Sequence, residues 1–89
     1  MVARITGRVQ GVGLRWWVRT RAEALHLTGW VMNDDDERSV TLVAEGSAAQ
    51  LDELERLVRI GPSSARVEAV EARREPASGE FRRFEISRR

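Results

Sequence analysis

The sequence predicts an α+β domain, a ferredoxin-like split βαβ sandwich in which an antiparallel sheet carries two helices on one face, in the order βαββαβ plus a short C-terminal strand. Apolar residues alternate with period two over residues 2–9, then recur at three- and four-residue steps after residue 14 and again after residue 47. Between the helical stretches, two extended runs flank a short polar turn. At 89 residues the chain is long enough to bury one core and too short for two, so residues 1–89 are expected to form a single domain.

Residues 2–9 place Ala3, Ile5, Gly7 and Val9 opposite Val2, Arg4, Thr6 and Arg8, the pattern of a half-buried strand. From Leu14 to Leu25 the residues Leu14, Trp17, Val18, Ala22 and Leu25 share one helical face, which makes Trp17 a core residue. Residues 29–33 and 39–45 read as an antiparallel hairpin around the turn Asp34 to Arg38, with Trp30 expected in the core. Ser47 with Gln50 three residues on forms a capping box ahead of the stripe Leu51, Leu54, Leu57 and Val58, and Gly61 and Pro62 end that helix. Residues 65–73 alternate again with an ambiguous inward face, residues 75–80 make a turn, and Phe81 to Ile86 is the final strand. A right-handed first crossover makes the first two strands parallel, with the third between them. The loop after Val9 and the residues around Asn33 then converge on one edge of the sheet.

All fifteen basic residues are arginine, against fourteen acids, a formal charge of plus one. Such a balance gives no bulk nucleic-acid field; the arginine set offers planar forks for phosphate or carboxylate, although genome composition produces the same bias. With no cysteine, thiolate chemistry and disulfides are unavailable. Tyrosine is absent and His26 is the only histidine, so any chemistry must lean on arginine, amides, carboxylates and backbone. No apolar run in MVARITGRV is long enough for a signal peptide, and no stretch approaches a membrane span. A soluble cytoplasmic monomer is expected, with no membrane or nucleic-acid partner.

Residues 7–15, GRVQGVGLR, hold three glycines in seven positions directly before a helix. Such a loop can turn successive N–H groups inward as an anion nest, helped by the positive end of the helix, with Arg15 folding back as a bidentate phosphate ligand. Arg19, one turn on, would deepen the positive potential. On the pattern alone a plain connecting turn is the commoner reading, since most glycine-rich turns between strand and helix hold nothing. It lacks the Lys and Ser or Thr of a nucleotide P-loop, and the GxGxxG fingerprint is absent.

GRVQGVGLR, the helix after it, and GWVMN at residues 29–33 resemble the two signature segments of the acylphosphatase family, in order and at the family's spacing. The likeness continues through AEG at 44–46, Gly61 and Pro62, and FEI at 84–86. It implies hydrolysis of an acyl phosphate, a small-molecule substrate, to a carboxylate and inorganic phosphate, with no metal or organic cofactor. Arg15 falls at the family's phosphate-binding arginine and Asn33 at its water-positioning asparagine. The stretch Gln10, Gly11, Val12, Gly13 and Leu14 falls on the loop whose amides hold phosphate oxygens.

Three features depart from that pattern. Leu14 stands in place of an aromatic and should still fill the core; the turn Asp34 to Arg38 is longer and lacks a glycine; and His26 replaces a glycine, which His tolerates if φ is positive there. The four consecutive acids 34–37 are expected as a solvated turn, since they lack the spacing of a calcium loop. Trp16 lies off the apolar stripe and is expected at the surface near the loop, in contact with the acyl group. Arg88 and Arg89 are expected as a frayed end. The alternatives are a non-catalytic phosphate- or small-ligand-binding module of the same fold and a segment of a larger carbamoyl-transfer protein. An RNA-binding sheet would need an aromatic RNP-like run, which is absent, and a chain running from Met1 to just past its last strand is expected to stand alone.

Overall fold

The computed structural model describes residues 1–87; Arg88 and Arg89, expected to fray, lie outside the described residues. Its elements are β1 (Val2–Arg8), α1 (Leu14–Ala24), β2 (Thr28–Asn33), β3 (Ser39–Glu45), α2 (Ala48–Ile60), β4 (Arg66–Arg73) and β5 (Phe84–Ile86). They form one five-stranded sheet in the order β4-β1-β3-β2-β5. β1 and β2 flank β3 and are both antiparallel to it, so they run parallel and end on the same edge. The predicted antiparallel sheet needs one amendment, because β2 and β5 pair in parallel. β4 is antiparallel to β1, and a single reversal through residues 74–83 sends β5 back along the direction of β1 and β2. The sheet is therefore mixed.

The inward residues of β1 and β3, including Ile5 and Leu42, pack with the stripes Leu14, Val18, Ala22 of α1 and Leu51, Leu54, Val58 of α2 in one core. Leu14 is fully buried despite its smaller volume. α2 begins with the expected capping box, Ser47 Oγ accepting from Gln50 N while Gln50 Oε1 accepts from Ser47 N. α1 ends on His26 at φ 60°, where Leu27 N donates to Ala22 O and His26 N to Glu23 O. Those two bonds form a Schellman motif, and His26 holds the left-handed position usually given to glycine. No helix among the described residues is long and apolar enough to cross a membrane.

The ambiguous strand resolves through a bulge. Thr6 pairs with Ala69 but Gly7 pairs with Val67, so Glu68 is an extra residue and the alternation of β4 changes phase there. Val67 on one side, and Val70 and Ala72 on the other, consequently all pack on the core. Two expectations are corrected. Trp30 lies on the sheet face opposite the core, one residue out of phase with buried Gly29 and Val31, and lines an open cavity of about 450 Å³ with Phe81 and Arg83. The final strand spans only Phe84–Ile86, because the chain bends at residues 82–83 before it settles into parallel register with Gly29–Val31; Arg83 O still accepts from Gly29 N at 3.0 Å.

Candidate active site

Val9 is buried at the end of β1 and anchors the chain as it enters the glycine loop. Gly11 and Gly13 have φ of 72° and 80°, left-handed conformations that let the backbone double back, and an added Cβ at either would meet nothing within 4 Å. The loop thus turns a bare backbone surface outward. Its other side is held by Ser64 Oγ, which donates to Val12 O at 2.8 Å. Gly13 is the N-cap of α1 and provides no side-chain cap, and no acid lies in the first turn. The N–H groups at this end of the helix keep their donors and the partial positive charge of the dipole.

Arg15 is half-buried at the start of α1, and among the described residues it has neither a carboxylate nor a carbonyl partner. By contrast Arg56, Arg59, Arg74 and Arg83 lie 2.6–2.9 Å from carboxylate oxygens. Arg15 lines a cavity of about 200 Å³ with Trp16, Arg19 and Ile86. Trp16 is 64% exposed, as its place off the stripe predicts. Ile86 reaches this cavity because β5 pairs beside β2, Ile86 opposite Val31, with Ser87 N donating to Val31 O at 2.8 Å.

Asn33 is the last residue of β2 and pairs with Val40. It shares the sheet face of buried Val31, and its Oδ1 is buried with no hydrogen-bond partner. Leaving such an acceptor unpaired costs about 1–3 kcal/mol. The loop and this strand end are tied together by Gln10, whose Nε2 donates to Asp34 O at 2.8 Å and to Ser39 O at 2.9 Å. Gly7 N adds a bond to Arg38 O at 3.0 Å. The loop and Asn33 therefore converge at the predicted edge, with the side chain of Gln10 as the link.

The acidic turn is solvated, with Asp35, Asp36 and Glu37 exposed, and hydrogen bonds order it. Asp34 accepts from Thr41 Oγ1 at 2.8 Å, and Asp34 N donates to Ser39 O at 2.9 Å, closing the hairpin. Asp36 accepts from Arg38 N, Ser39 N, Ser39 Oγ and Arg4 Nη2, all within 2.9 Å. Those donors, the Arg38 N–H foremost, hold its carboxyl at about 2, below its usual 3.8. Glu37 takes φ 62°, supplying the positive dihedral that the missing glycine would give. Asn33 thus keeps its strand register beside an altered turn. Among the described residues no three His, Asp or Glu side chains are grouped as metal ligands.

Sequence reasoning names Gln10 only for its backbone and misses Ser64 and Ile86. Ser64 follows a helix by four residues, and Ile86 depends on the parallel docking of β5; neither leaves a local sequence signal.

The acylphosphatase family model matches residues 1–86 of the chain. An acylphosphatase of Rubrobacter xylanophilus is 52% identical over 82 residues, which cover 92% of this chain and 74% of that protein. One from Salinibacter ruber is 49% identical over 86 residues, covering 97% of this chain and 90% of its own. The crystal structure of an acylphosphatase from Bacillus subtilis matches with a TM-score of 0.92 at 32% identity, over 98% of this chain and 96% of the other.

Proposed function

The chain belongs to the acylphosphatase family, whose activity of acyl phosphate hydrolysis it carries, and we propose that it does so through Arg15, Asn33 and the 10–14 loop without a metal ion. The transferred phosphoryl group sits in the loop. Backbone N–H groups of Gln10 to Leu14 and the guanidinium of Arg15 take its non-bridging oxygens, where charge builds as the reaction proceeds. A water held by Asn33 Oδ1 attacks phosphorus opposite the acyl oxygen. The bond from phosphorus to that oxygen breaks, the carboxylate leaves with the bonding pair, and the water's proton passes to a phosphate oxygen. A carboxylate is a stable leaving group, so no general acid is needed and positioning with charge stabilisation is enough.

The observation that carries this reading is the buried, unpartnered Asn33 Oδ1, at a strand end fastened to the phosphate loop by Gln10. An acceptor in that state is suited to a water and to no base chemistry, since an amide oxygen does not hold a proton at neutral pH. Trp16 and Ile86, flanking Arg15, offer apolar surface to the acyl group.

The decisive assay is hydrolysis of benzoyl phosphate with a chelator present. Arg15→Ala should lower kcat/KM by about 10²–10³, the roughly 2.7–4 kcal/mol of one preorganised donor. Undiminished turnover by that variant would remove Arg15 from the phosphate site.

A further inference from the structure

The Nε of Arg19 is buried without a hydrogen-bond partner. Glu23, its ion-pair partner on the same helix, stands 3.7 Å away, too far for a hydrogen bond. The guanidinium lies 5.3 Å from the Trp16 ring centroid, a cation–π contact that fixes its position over an exposed indole. Arg19 also borders two cavities at once. One, of about 200 Å³, holds Arg15, Trp16 and Ile86; the other, of about 390 Å³, holds Arg83, Phe84, Glu85 and Ile86. Sharing Arg19 and Ile86, the two form one trough that leads away from Arg15 along α1 and β5.

We infer that Arg19, braced by Trp16, is a second anion subsite that selects acyl phosphates whose acyl group carries its own negative charge. The inference rests on the reading of Arg15 as the phosphate ligand. With the phosphoryl group at Arg15, an acyl chain can run past Trp16 and Ile86 towards Arg19, a route that combines apolar walls with charge. Side chains four apart on a helix stand about 5–6 Å apart at Cβ, the scale of a short acyl spacer between two anionic ends. A substrate with an anion at each end neutralises the Arg15 and Arg19 pair through the part of the Arg19 side chain that is exposed, about a third of it, whereas an uncharged acyl group leaves that guanidinium with Glu23 at 3.7 Å as its counter-charge. Within the trough the opposing charges are Glu23, facing Arg19 from the same helix, and Glu85, which Arg83 already occupies at 2.6 Å.

The test compares benzoyl phosphate with 4-carboxybenzoyl phosphate, which adds one carboxylate across the ring from the reacting group. Wild-type protein should prefer the carboxylated substrate by about tenfold in kcat/KM, the scale of a hydrogen bond to a charged group. Arg19→Gln should bring the ratio of the two kcat/KM values to near one, and Arg19→Lys should restore part of it. Raised ionic strength should shrink the wild-type preference. Hydrolysis of both substrates by wild type with no preference would overturn the subsite and leave the role of Arg15 standing. Equal losses on both substrates in Arg19→Gln would also overturn it, since Arg19 would then act on the phosphoryl end. Failure of wild type to turn over either substrate would instead sink the underlying reading, and the subsite with it.

Discussion

Gln10 is where the architecture makes its strongest demand on catalysis. Its Nε2 gives both of its hydrogens to the hairpin, one to Asp34 O at 2.8 Å and one to Ser39 O at 2.9 Å, in a half-buried setting. Replacing Gln10 by Ala removes both bonds. Ser39 O keeps its bond from Asp34 N, so the deficit falls mainly on Asp34 O, one residue beyond Asn33. Two lost bonds at about 0.5–1.5 kcal/mol each cost about 1–3 kcal/mol of stability. At about 4–8 °C per kcal/mol for a domain of this size, Tm should fall by roughly 5–20 °C. The functional loss should exceed what partial unfolding explains. With the tie cut, the loop and Asn33 lose their common frame, and a misplacement on the order of 1 Å costs about 10²-fold in rate. Benzoyl phosphate hydrolysis, measured well below the variant's Tm, should therefore show kcat/KM down by about 10–10², alongside a denaturant curve that gives the stability change. If stability falls as expected while kcat/KM stays at the wild-type value, the loop and the strand end are aligned by something other than Gln10, and the reasoning fails.

Asn33→Ala should lower kcat by about tenfold or more while the inhibition constant of inorganic phosphate changes little; equal weakening of both would make Asn33 a phosphate ligand instead of a water guide. For Asp36, the folded carboxyl lies at about 2, below its unfolded value, so its stabilisation is complete above pH 4 and drains away as pH falls towards 2. Chemical denaturation of wild type and Asp36→Asn should differ at pH 7 and converge near pH 2; a gap that persists at pH 2 would place the effect in shape and not in charge. His26→Gly relieves a left-handed dihedral at the end of α1 and should raise stability by up to about 1 kcal/mol, with activity unchanged. A lower Tm in that variant would mean that the imidazole makes a contribution its exposed position does not suggest.

The fold was legible wherever one residue's environment repeats down an element. The stripes Leu14, Val18, Ala22 and Leu51, Leu54, Val58 each report a helix face, and Ser47 with Gln50 marks a cap whose bonds are local. His26 was legible for the same reason, since a helix terminus needs a left-handed residue at a fixed offset. What escaped were the non-local events. The phase change at Glu68 is forced by pairing with β1, and nothing inside β4 announces it. Trp30 misleads because its size suggests the core while its phase with Val31 assigns the other face. At the site, topology correctly brings the 7–15 loop to the end of β2. The device that holds them together, a glutamine amide reaching two carbonyls some 24 and 29 residues away, leaves no periodic trace.

The bulge in β4 and the brevity of β5 also bear on what this domain avoids. They occupy the two margins of the sheet, where unpaired N–H and C=O groups can template another chain. On one margin the extra residue Glu68 breaks the ladder, and Arg66, Glu71 and Arg73 add exposed charge on either side of it. The opposite margin is only three residues long, Phe84–Ile86, too short to recruit a stable partner strand. A sheet that must keep one rim open to solvent and substrate is thereby shielded along its flanks from growing into a fibril.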